Sequence, residues 1–103
     1  MLQQLRIYQI QEGKFDEFRH LWMAGVYTTR QQKGWQVQAW AAPEKSELVW
    51  ILSRDCTLEE WEAEERAYYE SPERKSLNPD PAQYIAEGEH RWIEGLIWTS
   101  DEG

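Results

Sequence analysis

Apolar and polar residues alternate most clearly from Gly34 to Asp55, GWQVQAWAAPEKSELVWILSRD, which reads as two strands joined by a short polar loop. Trp35, Val37, Ala39 and Ala41 fall on one face of the first strand, and Gln36, Gln38, Trp40 and Ala42 fall on the other. In the second strand Val49, Ile51 and Ser53 alternate with Leu48, Trp50, Leu52 and Arg54. A loop from Pro43 to Glu47 sets Trp40 opposite Trp50, Gln38 opposite Leu52 and Gln36 opposite Arg54. A four-residue loop would move Trp50 to the other face, because a one-residue slip inverts every side chain. The longer loop is preferred, since it gathers Val37, Ala39, Ala41, Val49 and Ile51 into one aliphatic surface on which helices can pack.

Leu2–Ile10 also alternates and predicts a first strand, ended by the turn at Glu12-Gly13. From Lys14 to Gln32 the residues Phe15, Phe18, Trp22, Val26 and Thr29 recur at steps of three and four, widened by Leu21 and Gly25, which predicts an amphipathic helix. Gly34 stops it. After the hairpin, Thr57-Leu58-Glu59-Glu60 is a capping-box pattern that opens a second helix, whose thinner stripe is Leu58, Trp61, Glu65 and Tyr68. Ser71–Pro81 reads as irregular with one short helical turn, Pro81–Glu87 as a brief final helix, Glu89–Trp98 as the last strand, and Thr99–Gly103 as a frayed tail. The order β-α-β-β-α-β predicts one α+β domain over residues 1–103, with the ferredoxin-like arrangement of a four-stranded antiparallel sheet and both helices on one face. The open face would then hold Arg6, Tyr8, Gln36, Gln38, Trp40, Trp50, Arg54, His90 and Trp92. An exposed face so rich in tryptophan predicts a second subunit over it, and two facing sheets would enclose an aromatic lumen.

Composition narrows the partners. The net charge of −8 and only 11 scattered Lys and Arg argue against nucleic acid and against anionic membrane surfaces. Cys56 is the only cysteine, which forbids an intrachain disulfide, and the sequence shows neither a signal pattern nor a membrane-spanning run; it reads as a soluble cytoplasmic protein. Seven Trp and five Tyr are many to bury in 103 residues, and they suit either a core, a pocket or a subunit interface.

The segments LRIYQIQEGKFDEFRHLW, QKGWQVQAW and ELVWILSRD running into EEWEAEERAYYESPE resemble the NIPSNAP family of the dimeric α/β-barrel superfamily. The pattern is an Arg-x-Tyr first strand, a Gly-Lys turn into an aromatic helix, a Gly before strand 2 and a Trp on strand 3. An acidic helix with an internal Arg66 and a Ser-Pro-Glu after it complete the likeness, which spans roughly residues 5–97. The resemblance implies a ferredoxin-like protomer, a homodimer joined through the open sheet face, and a lumen between the sheets. It carries over no catalytic set. Superfamily relatives include cofactor-free quinone-forming monooxygenases and haem-degrading enzymes that use Asn, Trp and His; Asn78 is the only asparagine here and lies in the proline-rich segment.

No metal, phosphate-loop, thiol or serine-nucleophile motif is present, so neither cofactor nor metal is expected. His90, Tyr8 and Arg54 are the catalytic candidates, as a base, a phenol donor and an oxyanion partner. Against this, Arg54 has Asp55 and the acidic helix available for ordinary ion pairs. Trp40, Trp50, Trp92, Gln38 and Arg6 would line the lumen around a small apolar or aromatic ligand. His20 reads as a packing or surface histidine, and Cys56 as structural. The expected function is binding of a small molecule, with cofactor-independent monooxygenase or isomerase chemistry on an aromatic compound as its enzymatic form. A non-enzymatic homodimeric binding or scaffold module, its interface filled by side chains, is the alternative.

Overall fold

The computed structural model describes residues 1–97. Strands β1 (Leu2–Ile10), β2 (Gln36–Ala42), β3 (Glu47–Arg54) and β4 (Ile85–Ile93) form one antiparallel sheet in the order β2-β3-β1-β4. Between β1 and β2 runs a helical stretch of α1 (Phe15–Leu21), a π-helical segment (Trp22–Tyr27) and α2 (Thr28–Gln32). Helix α3 (Leu58–Glu70) and the short α4 (Pro72–Lys75) follow β3. The protein is α+β with the ferredoxin-like order, as the alternation predicts.

Local chemistry explains most boundaries. Thr57 and Glu60 exchange capping hydrogen bonds of 3.1 and 3.0 Å at the start of α3, which satisfies two otherwise orphaned N–H groups. Gly34 ends α2 in the left-handed region at φ 87°, a conformation that costs glycine nothing. The proline-rich segment folds back on the first helical run, where a Cβ on Gly25 would meet Leu77 Cδ2 at 2.9 Å.

The hairpin register differs from the preferred one. The strands are joined by Pro43–Ser46, and Ala39 pairs with Trp50 while Trp40 pairs with Val49. A 3₁₀ turn over Pro43–Lys45 followed by Ser46 at φ 52° closes the loop one residue early. Nothing but Gly or Asn normally announces that conformation in a sequence. The slip turns Leu48, Trp50 and Leu52 inward, where each is at most 3 % exposed. Cross-strand pairing carries Gln4, Arg6 and Tyr8 of β1, and His90 and Trp92 of β4, to that same helix-covered side. Gln36, Gln38 and Trp40 do lie on the open face, together with Leu5, Ile7, Val49 and Ile51.

The end of the chain also differs. The helix expected over Pro81–Glu87 is a 3₁₀ turn at Pro81–Tyr84, and β4 starts at Ile85 instead of Glu89. Strand β1 is nine residues long and leaves hydrogen-bonding groups to be paired as far as Ile10, which meets Ile85 across a bulge. Pairing a sheet edge outweighs weak local helix preference. Strand β4 stops at Ile93; Trp98 and the tail lie outside the described residues.

Candidate functional site

The first helical run presents Phe18, Trp22, Val26 and Arg30, each four residues from the next, towards β1 and β3. In an α-helix a step of four overshoots a full turn by ~40°, so three such steps would carry Arg30 well off the row. The π-helical segment winds less per residue and takes that drift back. Arg30 is therefore turned into the protein and is 1 % exposed, beside the expected Thr29.

These side chains meet Tyr8 and Trp50 from the sheet, Tyr68 and Tyr69 from α3, Arg74 from α4, and Pro81, Ala82 and Ile85 beyond it. Together they enclose a cavity of about 70 Å³. Trp22 and Trp50 meet edge to face with ring centres 5.2 Å apart, and Tyr8 meets Trp50 at 5.9 Å. Tyr69 and Ala82 are exposed and form the rim.

An ion-pair network stands behind this wall. Glu65 accepts from Arg6, and its other carboxylate oxygen lies 2.6 Å from Arg30 Nη1 in an ion pair whose angle falls outside a hydrogen bond. Both guanidiniums are 1 % exposed. Arg30 packs against the ring of Tyr68 at 3.7 Å, and Arg6 lies 5.2 Å from the ring of Trp50. Burial pushes the Glu65 carboxyl up, but the charges of Arg30 and Arg6 outweigh it and hold the group below the ordinary carboxylate range. Burial raises the phenol of Tyr8 above its usual value, with the Arg6 charge opposing, so Tyr8 stays a neutral donor at neutral pH. The indole N–H groups of Trp22 and Trp50 and the Nε of Arg30 are buried with no hydrogen-bond partner. Such orphaned donors are costly and ask for an explanation.

Of the residues expected to act together, Tyr8 and Trp50 line the cavity, with Arg6 behind Trp50. His90 sits opposite Arg6 on the edge strand, its ring 6.3 Å from that of Tyr8. Desolvation, with the Arg6 charge adding to it, lowers the pKa of His90 and keeps it neutral at pH 7. Arg54 lies elsewhere, donating to the Lys33 carbonyl at 3.0 Å and pairing with Glu64 at 3.5 Å. Trp92 packs on Trp61 at 5.0 Å, while Trp40 and Gln38 face away on the far side of the sheet. His20 is exposed. Burial raises the Cys56 thiol above its ordinary value, which suits a structural cysteine. Among the described residues no group of three or more His, Cys, Asp or Glu is placed to hold a metal ion, and no helix is long and apolar enough to cross a membrane.

Trp22, Arg30, Tyr68, Tyr69 and Arg74 are absent from the expected site. Two signals pointed to this region: Glu65 falls on the buried stripe of α3, and Arg30 continues the row of four-residue steps.

Neither the family models nor the curated proteins contain a match to this chain. Solved structures do match. A NIPSNAP domain protein from Burkholderia xenovorans superposes with a TM-score of 0.80 at 18% identity, over 98% of this chain and 100% of the other. A NIPSNAP family protein from Agrobacterium tumefaciens gives 0.80 at 16% identity, over 95% of this chain and 88% of the other. The chain has the NIPSNAP fold. An antibiotic biosynthesis monooxygenase shares it more loosely, with a TM-score of 0.65 at 13% identity over 94% of this chain and 100% of the other. At these identities the likeness concerns the NIPSNAP backbone; the chemistry has to be argued from the cavity.

Proposed function

We propose that this protein binds a small oxygen-bearing molecule in the cavity between its sheet and its helices, and does so as a homodimer joined through the open sheet face. The support for the first part is that three residues lining the cavity, Trp22, Trp50 and Arg30, each carry a buried donor without an acceptor, as do Arg6 and Trp35 beyond the lining. A ligand with acceptor oxygens satisfies those of the lining. The second part rests on Leu5, Ile7, Val49 and Ile51, which form an aliphatic patch beside an exposed Trp40. A patch of that kind favours association.

Size and chemistry decide between binding and turnover. The cavity of about 70 Å³ is under half the ~150 Å³ void that admits benzene. It suits a carboxylate or carbonyl head, and a whole ring requires the rim to give way. Monooxygenation or isomerisation of an aromatic compound needs a base at the substrate. The lining offers phenols and guanidiniums but no His, Asp or Glu, so binding is the reading favoured, with His90 beside Tyr8 as the candidate base for an enzymatic form. A His90→Ala protein that keeps full turnover of an identified substrate removes that role.

Native mass spectrometry of protein freshly purified from cells tests the whole. A two-chain species carrying extra small mass is expected. A clean two-chain species returns the scaffold alternative, and a clean monomer defeats the dimer.

A further inference from the structure

We infer that the ligand class is anionic: a small carboxylate, or the carboxylate or enolate end of a larger molecule, held between the two wall indoles and Arg30. The inference rests on the binding reading above and adds the charge of the ligand to it.

The ion pairs around the cavity do not balance. Arg6 and Arg30 share the single carboxylate of Glu65, and Arg74 pairs with Asp80 at 3.0 Å. Three guanidiniums therefore face two carboxylates, which leaves one positive charge over in and behind this wall of a protein whose net charge is −8. Arginine does not lose its proton at accessible pH, so the excess cannot be relieved by titration. Arg6 and Arg30 are each 1 % exposed, so water cannot screen it fully. Cation–π contacts with Trp50, Tyr68 and Trp35 ease the burial of both groups, yet they supply no acceptor for Arg30 Nε.

The polar groups of the wall point the same way. The phenol of Tyr8 is pushed upward by burial and remains protonated, while that of Tyr68 is already paired with Thr29 Oγ1 at 2.8 Å. The indoles of Trp22 and Trp50 can only donate. A wall that donates from several sides and carries surplus positive charge discriminates between an anion and its neutral isostere, since charge-assisted hydrogen bonds are about twice as strong as neutral ones.

Calorimetric titration with benzoate and with benzamide, equal in shape and different in charge, measures this directly. Benzoate is expected to bind roughly tenfold or more tightly than benzamide, and to shift the indole N–H resonances of Trp22 and Trp50. Acetate and acetamide, small enough to enter without movement of the rim, repeat the comparison with ring size removed. Equal affinities within both pairs overturn the charge assignment while leaving the cavity a binding site. If none of the four binds, or if other indoles respond, the cavity reading fails and this inference fails with it. In a folded Glu65→Gln protein three guanidiniums face one carboxylate, so carboxylate affinity is expected to rise while amide affinity stays the same. Loss of the preference for carboxylates in that protein overturns the inference. The wild-type comparison decides the matter even where the variant does not fold.

Discussion

On the helix-covered side of the sheet, Arg6, Trp50 and Leu52 are at most 1 % exposed, whereas Trp40 on the other side is 55 % exposed. The buried side carries the chemically demanding groups: two guanidiniums, a shared carboxylate and indoles without acceptors. The open side carries plain aliphatics, Leu5, Ile7, Val49 and Ile51, flanked by glutamines and glutamates. Burying charge is expensive and burying aliphatic surface is favourable. A sheet that hides the first and displays the second is what the proposed ligand site on one side and the proposed subunit contact on the other would each require.

The sharpest way to break this contrast is a matched pair of tryptophan deletions. Trp50→Ala should lose about 3–5 kcal/mol of stability in urea denaturation. Trp40→Ala, at protein concentrations low enough to keep chains apart, should stay within about 0.5 kcal/mol. Equal losses would mean that the two sides do not differ as described. Glu65→Ala should also be severe, about 3–5 kcal/mol, because it strands two buried guanidiniums; a loss under 1 kcal/mol would show that water reaches them.

Acid titration of stability sharpens the same point. The folded pKa of Glu65 lies below its ordinary value of 4.5, so its carboxylate stabilises the fold above that pH. The contribution is lost progressively as pH falls from there through the folded pKa. Wild type should therefore lose stability more steeply than Glu65→Gln in that window, and parallel curves would contradict the pairing. The smallest effect on the chain itself is expected from Ile51→Glu on the open side. It should leave the far-ultraviolet circular dichroism unchanged and halve the mass measured by sedimentation. An unchanged mass would defeat the proposed subunit contact through this face.

The architecture was legible because it depends on local signals. Alternation in β1, the row of aromatics in the first helical run, the Thr57–Glu60 cap and Gly34 each declare themselves within a few residues. The start of β4 was not legible, because Ile85–Gly88 are strand only through their pairing with β1. The site was read in part. Tyr8, Trp50 and Arg6 are neighbours on the helix-covered side and not on the open side that the pattern suggests, since one residue of loop length at Ser46 decides the side for Trp50.

Residue pattern alone determined the order of the elements, the antiparallel hairpin, and a load of seven tryptophans and five tyrosines to be placed. The tertiary structure alone decided which side of each strand faces the helices, that Arg30 of α2 turns inward after a π-helical segment, and that Glu65 is shared between two arginines. Periodicity records which residues share a face. It does not say what covers that face, because a covering depends on contacts between residues far apart in the chain.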